Sequence, residues 1–215
     1  MARDVRKKTR LKKTKLKNSS KRWVERQLND PYVEKAKAEG YKSRAAFKLK
    51  EMDEKIHLLK KGMKIVDLGA APGGWSQVAA QKGCTVVAID LLPVDDIPGV
   101  DFIQMDFLDD AAPDILKEKL DGLADAVLSD LAPNTTGHKS TDHLRIMAAV
   151  EAAYQFATEV LKPGGTFIAK VWQGGAQHEL LAQMKKDFKT VKHIKPPSSR
   201  QESAEQFVIA QGFRG

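Results

Sequence analysis

The stretch Ile65-Val66-Asp67-Leu68-Gly69-Ala70-Ala71-Pro72-Gly73-Gly74-Trp75-Ser76-Gln77 decides the fold. A short apolar run with β-branched residues enters a glycine-rich turn and leaves it in residues suited to a helix, so it reads as strand, loop and helix start. Glycine lets a ligand approach the backbone, and the amides at a helix N-terminus favour anionic groups. Such a loop suits a nucleotide-like ligand. The dinucleotide fingerprint G-x-G-x-x-G is absent, because Ala71 occupies the place of the second glycine, and no Gly-Lys-Ser/Thr follows to build a phosphate loop.

Working outward, short runs with strand character recur at Lys64–Leu68, Thr85–Ile89, Asp101–Met105, Ala124–Ser129, Thr166–Val171, Thr190–Ile194 and Gln206–Ala210. Helical stretches fall between them at Trp75–Lys82, Asp114–Leu120, Asp142–Leu161 and Gln177–Lys186, with Gly83 and Pro163-Gly164-Gly165 marking two helix ends. In the longest of these, Leu144, Met147, Ala148, Phe156 and Val160 recur at helical spacing and predict one buried face. Alternating strands and helices imply an α/β protein with a mostly parallel, seven-stranded sheet and helices on both faces. Ligands of such sheets bind beyond the carboxyl ends of the strands. Asp90 ends the second strand about 20 residues past the glycine loop, where a carboxylate accepts both hydroxyls of a cofactor ribose, and Asp106 ends the third similarly. Gly, Asp and Asp delivered by three consecutive strands point to an adenosine-bearing ligand.

Upstream, Lys21 to Met52 reads as short helical pieces broken at Asp30-Pro31 and Gly40, with Ser43 as the N-cap of Arg44–Met52. The chain of 215 residues carries a net charge of +8, unevenly spread. Residues 1–22 hold eleven Lys or Arg against Asp4 alone, a local net of +10 that leaves −2 for the remainder. A block of like charge of this kind is expected to be a disordered arm for a polyanion, and nucleic acid fits it better than membrane because apolar periodicity is missing. The organisation expected is thus a basic RNA-binding arm (1–22), an N-terminal helical segment (23–62) and an α/β domain (63–215). No apolar run approaches the ~20 residues of a membrane span, and the charged start carries no secretion signal, so a soluble cytoplasmic protein is expected. The lone Cys84 excludes an internal disulfide and a thiolate metal site. His57, His138, His143, His178 and His193 show no H-x-x-x-H or H-x-E spacing, so they read as surface histidines and no metal is expected.

The segments Ser43-Arg44-Ala45-Ala46-Phe47-Lys48-Leu49, Asp67 to Gln77, Asp90-Leu91-Leu92-Pro93, Ser129-Asp130-Leu131-Ala132-Pro133-Asn134 and Lys170-Val171-Trp172-Gln173-Gly174 occur in that order. In this the chain resembles the FtsJ (RrmJ, RlmE) family of ribosomal RNA large-subunit methyltransferases over roughly Trp23 to Gln211. The resemblance implies a Rossmann-like methyltransferase fold for 63–215 and S-adenosylmethionine as cofactor, with Gly73, Trp75, Asp90, Asp106 and Asp130 at the family's binding positions. It also implies a Lys-Asp-Lys-Glu catalytic set on Lys48, Asp130, Lys170 and Glu205. Two features depart from the pattern: the basic arm is longer than in shorter bacterial members, and Ala204 and Gln206 replace the usual Arg or Val neighbours of the final Glu. Glu202 lies nearby, but strand alternation aligns Glu205 with Phe207 and Ile209 and gives it a fixed position.

The implied reaction methylates a ribose 2′-oxygen. A ribose hydroxyl is a poor nucleophile, so it must be aligned with the methyl group and relieved of its proton. A lysine takes that proton only where burial or a neighbouring cation favours its neutral amine, and Lys48 would supply such a cation to Lys170. Asp130 would orient the amine and complement the sulfonium, and Glu205 would hold a lysine or a ribose group. In the competing view Lys170 stays protonated and only orients the hydroxyl. Without the resemblance, Lys48 reads as a solvated helix lysine.

The family points to a uridine of 23S ribosomal RNA in the large subunit as the target, and the protein itself is expected to be a monomer. Lys185, Lys186, Lys189, Lys192, Lys195 and Arg200 add basic groups suited to phosphates, which position a nucleic acid without choosing its base. Other readings are a ribose methyltransferase of transfer RNA or a messenger cap, a non-enzymatic ribosome-assembly factor, and, least favoured because of Ala71, a nicotinamide oxidoreductase.

Overall fold

Apolar runs that are buried on both sides make strands for the middle of a sheet, and here seven strands form one sheet whose order, counted along the chain, is third, second, first, fourth, fifth, seventh, sixth. A computed structural model of the chain describes residues 18–133, 136–172 and 178–215. The strands are β1 (Lys64–Leu68), β2 (Thr85–Asp90), β3 (Val100–Gln104), β4 (Ala124–Ser129), β5 (Leu161–Trp172), β6 (Phe188–Ile194) and β7 (Glu205–Phe213). Every neighbouring pair is parallel except those of β7, which runs antiparallel to β5 and β6. All seven expected strands are present. β5 starts earlier than its β-branched residues indicate, and its register against β4 shifts between Ala124 and Ala126.

The helices are α1 (Asn18–Leu28), α2 (Pro31–Ala38), α3 (Ala45–Ile56), α4 (Gly74–Gln81), α5 (Ala112–Leu120), α6 (Lys139–Val160) and α7 (His178–Asp187). One apolar cluster joins α3 and α4 to the sheet through Leu49, Met52, Ile65, Val78, Leu128 and Phe207. The opposite cluster joins α5, α6 and α7 to Val66, Leu68, Val127, Phe167 and Val208. Fully burying a side chain such as Leu49 or Phe167 contributes roughly 1.5–3 kcal/mol. This three-layer arrangement is Rossmann-like, and no described helix is long and apolar enough to cross a membrane.

The face expected of α6 needs correction. Met147, Phe156 and Val160 are buried, but Leu144 is 62% exposed and Ala148 is also exposed. The face against the sheet runs instead through Ile146, Met147, Val150, Ala153, Tyr154 and Ala157, a stripe displaced around the helix by about half a turn at its start. Four expectations fall wholly or partly outside the described residues: the helix start at Gln177, the motif ends at Asn134 and at Gln173-Gly174, and the basic arm, of which 1–17 are outside. Residues 18–22 begin α1, and the run Asn18-Ser19-Ser20 is of the type that opens helices. Ahead of α3 the N-cap position falls on Arg44, one residue later than expected, while Ser43 Oγ still accepts from Ala45 N at 3.2 Å.

Candidate active site

The glycine loop joins β1 to α4 and is shaped by what lies next to it. Gly69 has φ 79°, and a Cβ there would stand 2.9 Å from the Leu131 backbone, so the loops after β1 and β4 touch only because this residue has no side chain. Gly73 caps α4 with φ 102°. The neighbouring carboxylates then organise around the loop. Asp90, at the end of β2, accepts from Ala71 N at 2.9 Å and Leu92 N at 2.8 Å, and Asp106 accepts from Leu108 N at 2.9 Å. A carboxylate has about four acceptor sites, so each retains capacity for sugar hydroxyls. The exposed apolar side chains of Leu91, Leu92 and Leu108 directly follow these acidic positions. An anionic, hydroxyl-accepting edge with apolar residues beside it fits an adenosine cofactor.

Trp75 lies in the first turn of α4, directly after the loop. Its indole is buried in the core, where Nε1 donates to the Ala45 carbonyl at 2.9 Å and the ring packs on Phe207 at 5.4 Å. That side chain ties α4 to α3 and β7. Below the loop, Asp67 is 1% exposed and accepts from Ser76 Oγ at 2.6 Å, while its other oxygen has no hydrogen-bond partner among the described residues. Burial pushes this carboxyl up to about 7 despite the opposing Ser76 hydrogen bond, and the nearby Asp130 and Asp90 charges add to the rise.

Strand register brings the second group of residues together. The parallel pairing of β4 with β5 sets Ser129 opposite Ala169, so Asp130 and Lys170 emerge side by side. The antiparallel pairing of β5 with β7 sets Lys170 opposite Phe207 and Trp172 opposite Glu205, which keeps Lys170 and Glu205 on the face covered by α3. From that helix Lys48 reaches down, its Nζ 5.4 Å from the Phe207 ring centre.

The outcome is a row of alternating charge. Lys170 Nζ lies 2.9 Å from Asp130 Oδ1 and donates to the Asp130 carbonyl at 2.8 Å. Lys48 Nζ lies 3.8 Å from Asp130 Oδ2 and 2.8 Å from Glu205 Oε1. All four side chains are mostly buried, Lys170 at 9% and Lys48 at 12% exposure. Burial raises the Asp130 carboxyl, but the charges of Lys170 and Lys48 and the Lys170 hydrogen bond outweigh it and hold it below the usual carboxylate range. Lys48 is therefore no solvated helix lysine. Its interior position comes from contacts with β4 and β7 that helix periodicity alone does not reveal. Glu202 is exposed in the loop before β7 and takes no part in the row.

A chain with this glycine loop and this lysine–carboxylate row can be compared with known proteins. The sequence profile described as FtsJ-like methyltransferase matches residues 41–213, which spans the loop, the row and all seven strands. The chain belongs to the FtsJ-like methyltransferase family. Among curated relatives, the ribosomal RNA large subunit methyltransferase E of Rhodopseudomonas palustris (strain BisB5) is 62% identical over 206 residues, covering 93% of this chain and 88% of that protein. The protein of the same name from Bradyrhizobium diazoefficiens is 61% identical over 207 residues, covering 94% and 91%. A solved structure from Plasmodium falciparum, described as a ribosomal RNA methyltransferase, superposes with a TM-score of 0.73 at 33% identity and covers 81% of this chain and 100% of that one.

For this member of the FtsJ-like family, sequence reasoning missed the residues that support the row. Ser199 Oγ donates to Glu205 Oε1 at 2.9 Å, and Ser198 donates to Glu51 through N at 2.8 Å and Oγ at 2.7 Å. The only signal in sequence was a polar Ser-Ser-Arg run before the last strand. Two of the basic residues expected to grip phosphate also have partners within the chain: Arg200 on Asp30, and Lys195, which stays exposed, on the carbonyls of Gln201 and Ser203. Lys185, Lys186, Lys189 and Lys192 are exposed.

Proposed function

We propose that this protein transfers the methyl group of S-adenosylmethionine to the 2′-oxygen of a uridine in 23S ribosomal RNA of the large subunit. The observation that carries the reading is the buried row Lys170, Asp130, Lys48 and Glu205 beside the glycine loop. When bound, S-adenosylmethionine supplies an electrophilic methyl group on a positively charged sulfur.

Asp90 and Asp106 are assigned to the cofactor's sugar side, with the amides near Gly73 and Trp75 lining the loop, and the negative charge of Asp130 would complement the sulfonium. Lys170 is assigned the proton of the attacking hydroxyl. Lys170 Nζ would take the proton of the ribose O–H as that oxygen accepts the methyl group, whose bond to sulfur would break and leave its electron pair on a neutral thioether. Two acceptors from Asp130 fix that nitrogen. Positioning of the reactants alone is worth roughly 7–11 kcal/mol in well-aligned reactions, so fixing Nζ serves orientation as well as proton transfer. Lys48 adds positive charge on the other side of Asp130, and Glu205 holds Lys48 there.

The substrate reading draws on the names of the relatives and on the basic arm. Incubation with labelled cofactor and a set of RNAs and ribosomal particles, followed by mass-spectrometric mapping, tests it. Methyl label on a ribose of large-subunit RNA is the expected result. Label on transfer RNA or a cap, or no transfer under single-turnover conditions, overturns it.

A further inference from the structure

Glu205 begins β7, where the sheet only starts to hold the chain, yet its Oε1 meets two donors: Lys48 Nζ at 2.8 Å and Ser199 Oγ at 2.9 Å. Ser199 lies in the connection between β6 and β7. Ser198 and Ser199 are 0% and 5% exposed, unusual for a connecting segment. Packing does not account for their order on every side, because a cavity of about 810 Å³ separates part of the segment from α1 and α2.

Polar ties to the N-terminal helices hold the segment instead. Asp30, the N-cap of α2, is 7% exposed, and its Oδ2 accepts from Arg44 Nη1 at 2.5 Å and from Arg200 Nε at 3.2 Å and Nη2 at 3.1 Å. Arg44 also donates through Nη2 to the Ser198 carbonyl. From α3, Glu51 accepts both the amide and the hydroxyl of Ser198, and its other oxygen accepts from Tyr32 Oη at 3.3 Å. Arg44 at the start of α3 and the acceptors Asp30 and Glu51 therefore grip one short segment from one side. That segment delivers a hydroxyl to the end of the charged row.

We propose that this clamp is a positioning device for methyl transfer, in which Asp30 and Glu51 fix the segment and Ser199 fixes the Glu205 carboxylate and, through it, Lys48. The proposal rests on the assignment of Glu205 and Lys48 to the reaction made above. Ser199 touches neither reactant and acts through Glu205. The physical reason is that a glutamate at a strand end has three rotatable bonds, and a single ion pair leaves its carboxylate free to pivot about that partner. A second donor of fixed direction removes the pivot, and displacement of about 1 Å at a reacting group can cost on the order of 10²-fold in rate.

The test is a double-mutant cycle in the full-length protein with S-adenosylmethionine and large-subunit RNA, using Ser199→Ala, Glu205→Gln and the double variant. Ser199→Ala is expected to lower kcat about ten-fold or more, with the KM of RNA and cofactor within about two-fold and an unchanged Tm. In the Glu205→Gln background the same change should cost almost nothing. Asp30→Asn provides a second route, with a loss in kcat that also shrinks when Glu205 is already Gln. Wild-type kcat in Ser199→Ala, or losses that multiply in the double variant, overturn the proposal. A fully active Glu205→Gln protein overturns instead the assignment on which it rests.

Discussion

Lys48 sits 2.8 Å from Glu205 but 3.8 Å from Asp130, so the two lysines of the row have different principal partners. Lys170 is held by Asp130, through both its carboxylate and its carbonyl. Removing Lys170 therefore leaves the Lys48–Glu205 pair intact while freeing part of the Asp130 charge.

Lys170→Ala is accordingly expected to lower kcat by roughly 10²–10⁴-fold, the usual range for removal of a general acid or base. Because Asp130 then keeps only Lys48, at 3.8 Å, as a neutralising neighbour, affinity for the cationic cofactor should stay the same or tighten. Single-turnover methyl transfer and calorimetry of cofactor binding measure the two quantities. Near-normal kcat at saturating substrate would remove Lys170 from proton transfer.

Trp75→Phe separates a structural tryptophan from a cofactor ligand. The variant cannot make the indole hydrogen bond to Ala45 and packs less fully on Phe207, which should cost on the order of 1–2 kcal/mol of stability. Cofactor affinity should change less than three-fold, about 0.65 kcal/mol. Unfolding by denaturant gives the first and calorimetry the second; a large fall in affinity at unchanged stability would put the ring itself against the ligand.

The strand pattern of this protein was legible because period and composition are local. β1 and β4 start and end where their apolar runs do. The glycine loop was equally readable, since the positions that take positive φ, Gly69 and Gly73, are glycines in the sequence itself. Relationships set by register were not. Lys48 reads as a surface lysine until α3 is docked over β4 and β7, and Trp75 reads as part of a loop motif until its indole meets Ala45. Leu144 shows the same limit in reverse, because helical spacing marks a stripe but the neighbouring strands choose which stripe is buried. Ser199 had no periodic or motif signal at all, since its role depends on a hydrogen bond across a turn.

The basic arm offers a test that is independent of the site. Residues 1–20 contain nine Lys or Arg against one Asp. If they bind phosphates, deleting them should weaken binding to large-subunit RNA and flatten its salt dependence, by about 0.7–0.9 in the slope of log K against log salt for each phosphate that is no longer neutralised. Filter binding across a salt series measures both. An unchanged slope would exclude the arm from RNA recognition, and the exposed lysines Lys185, Lys186, Lys189 and Lys192 would be the next group to vary.

Asp67 gives the sharpest pH dependence. Its usual carboxyl value of 3.8 is raised to about 7 in the folded protein, chiefly by burial. Between these values the native state keeps a proton that the unfolded chain has released, so stability falls as pH rises through the window and levels off above about 7. The limiting slope is about 1.4 kcal/mol per pH unit, and the whole effect is on the order of a few kcal/mol. Asp130 works in the opposite sense. Its value lies below the usual range, so its contribution is present above that range and is lost only as pH falls through the lowered value, outside this window. Asp67→Asn should therefore flatten the stability profile between pH 4 and 7 in the absence of cofactor and make the protein more stable than wild type near pH 8, since the amide still accepts from Ser76 without carrying a buried charge. Denaturant melts at several pH values provide the measurement, and a variant that retained the wild-type slope would show that Asp67 is ionised throughout.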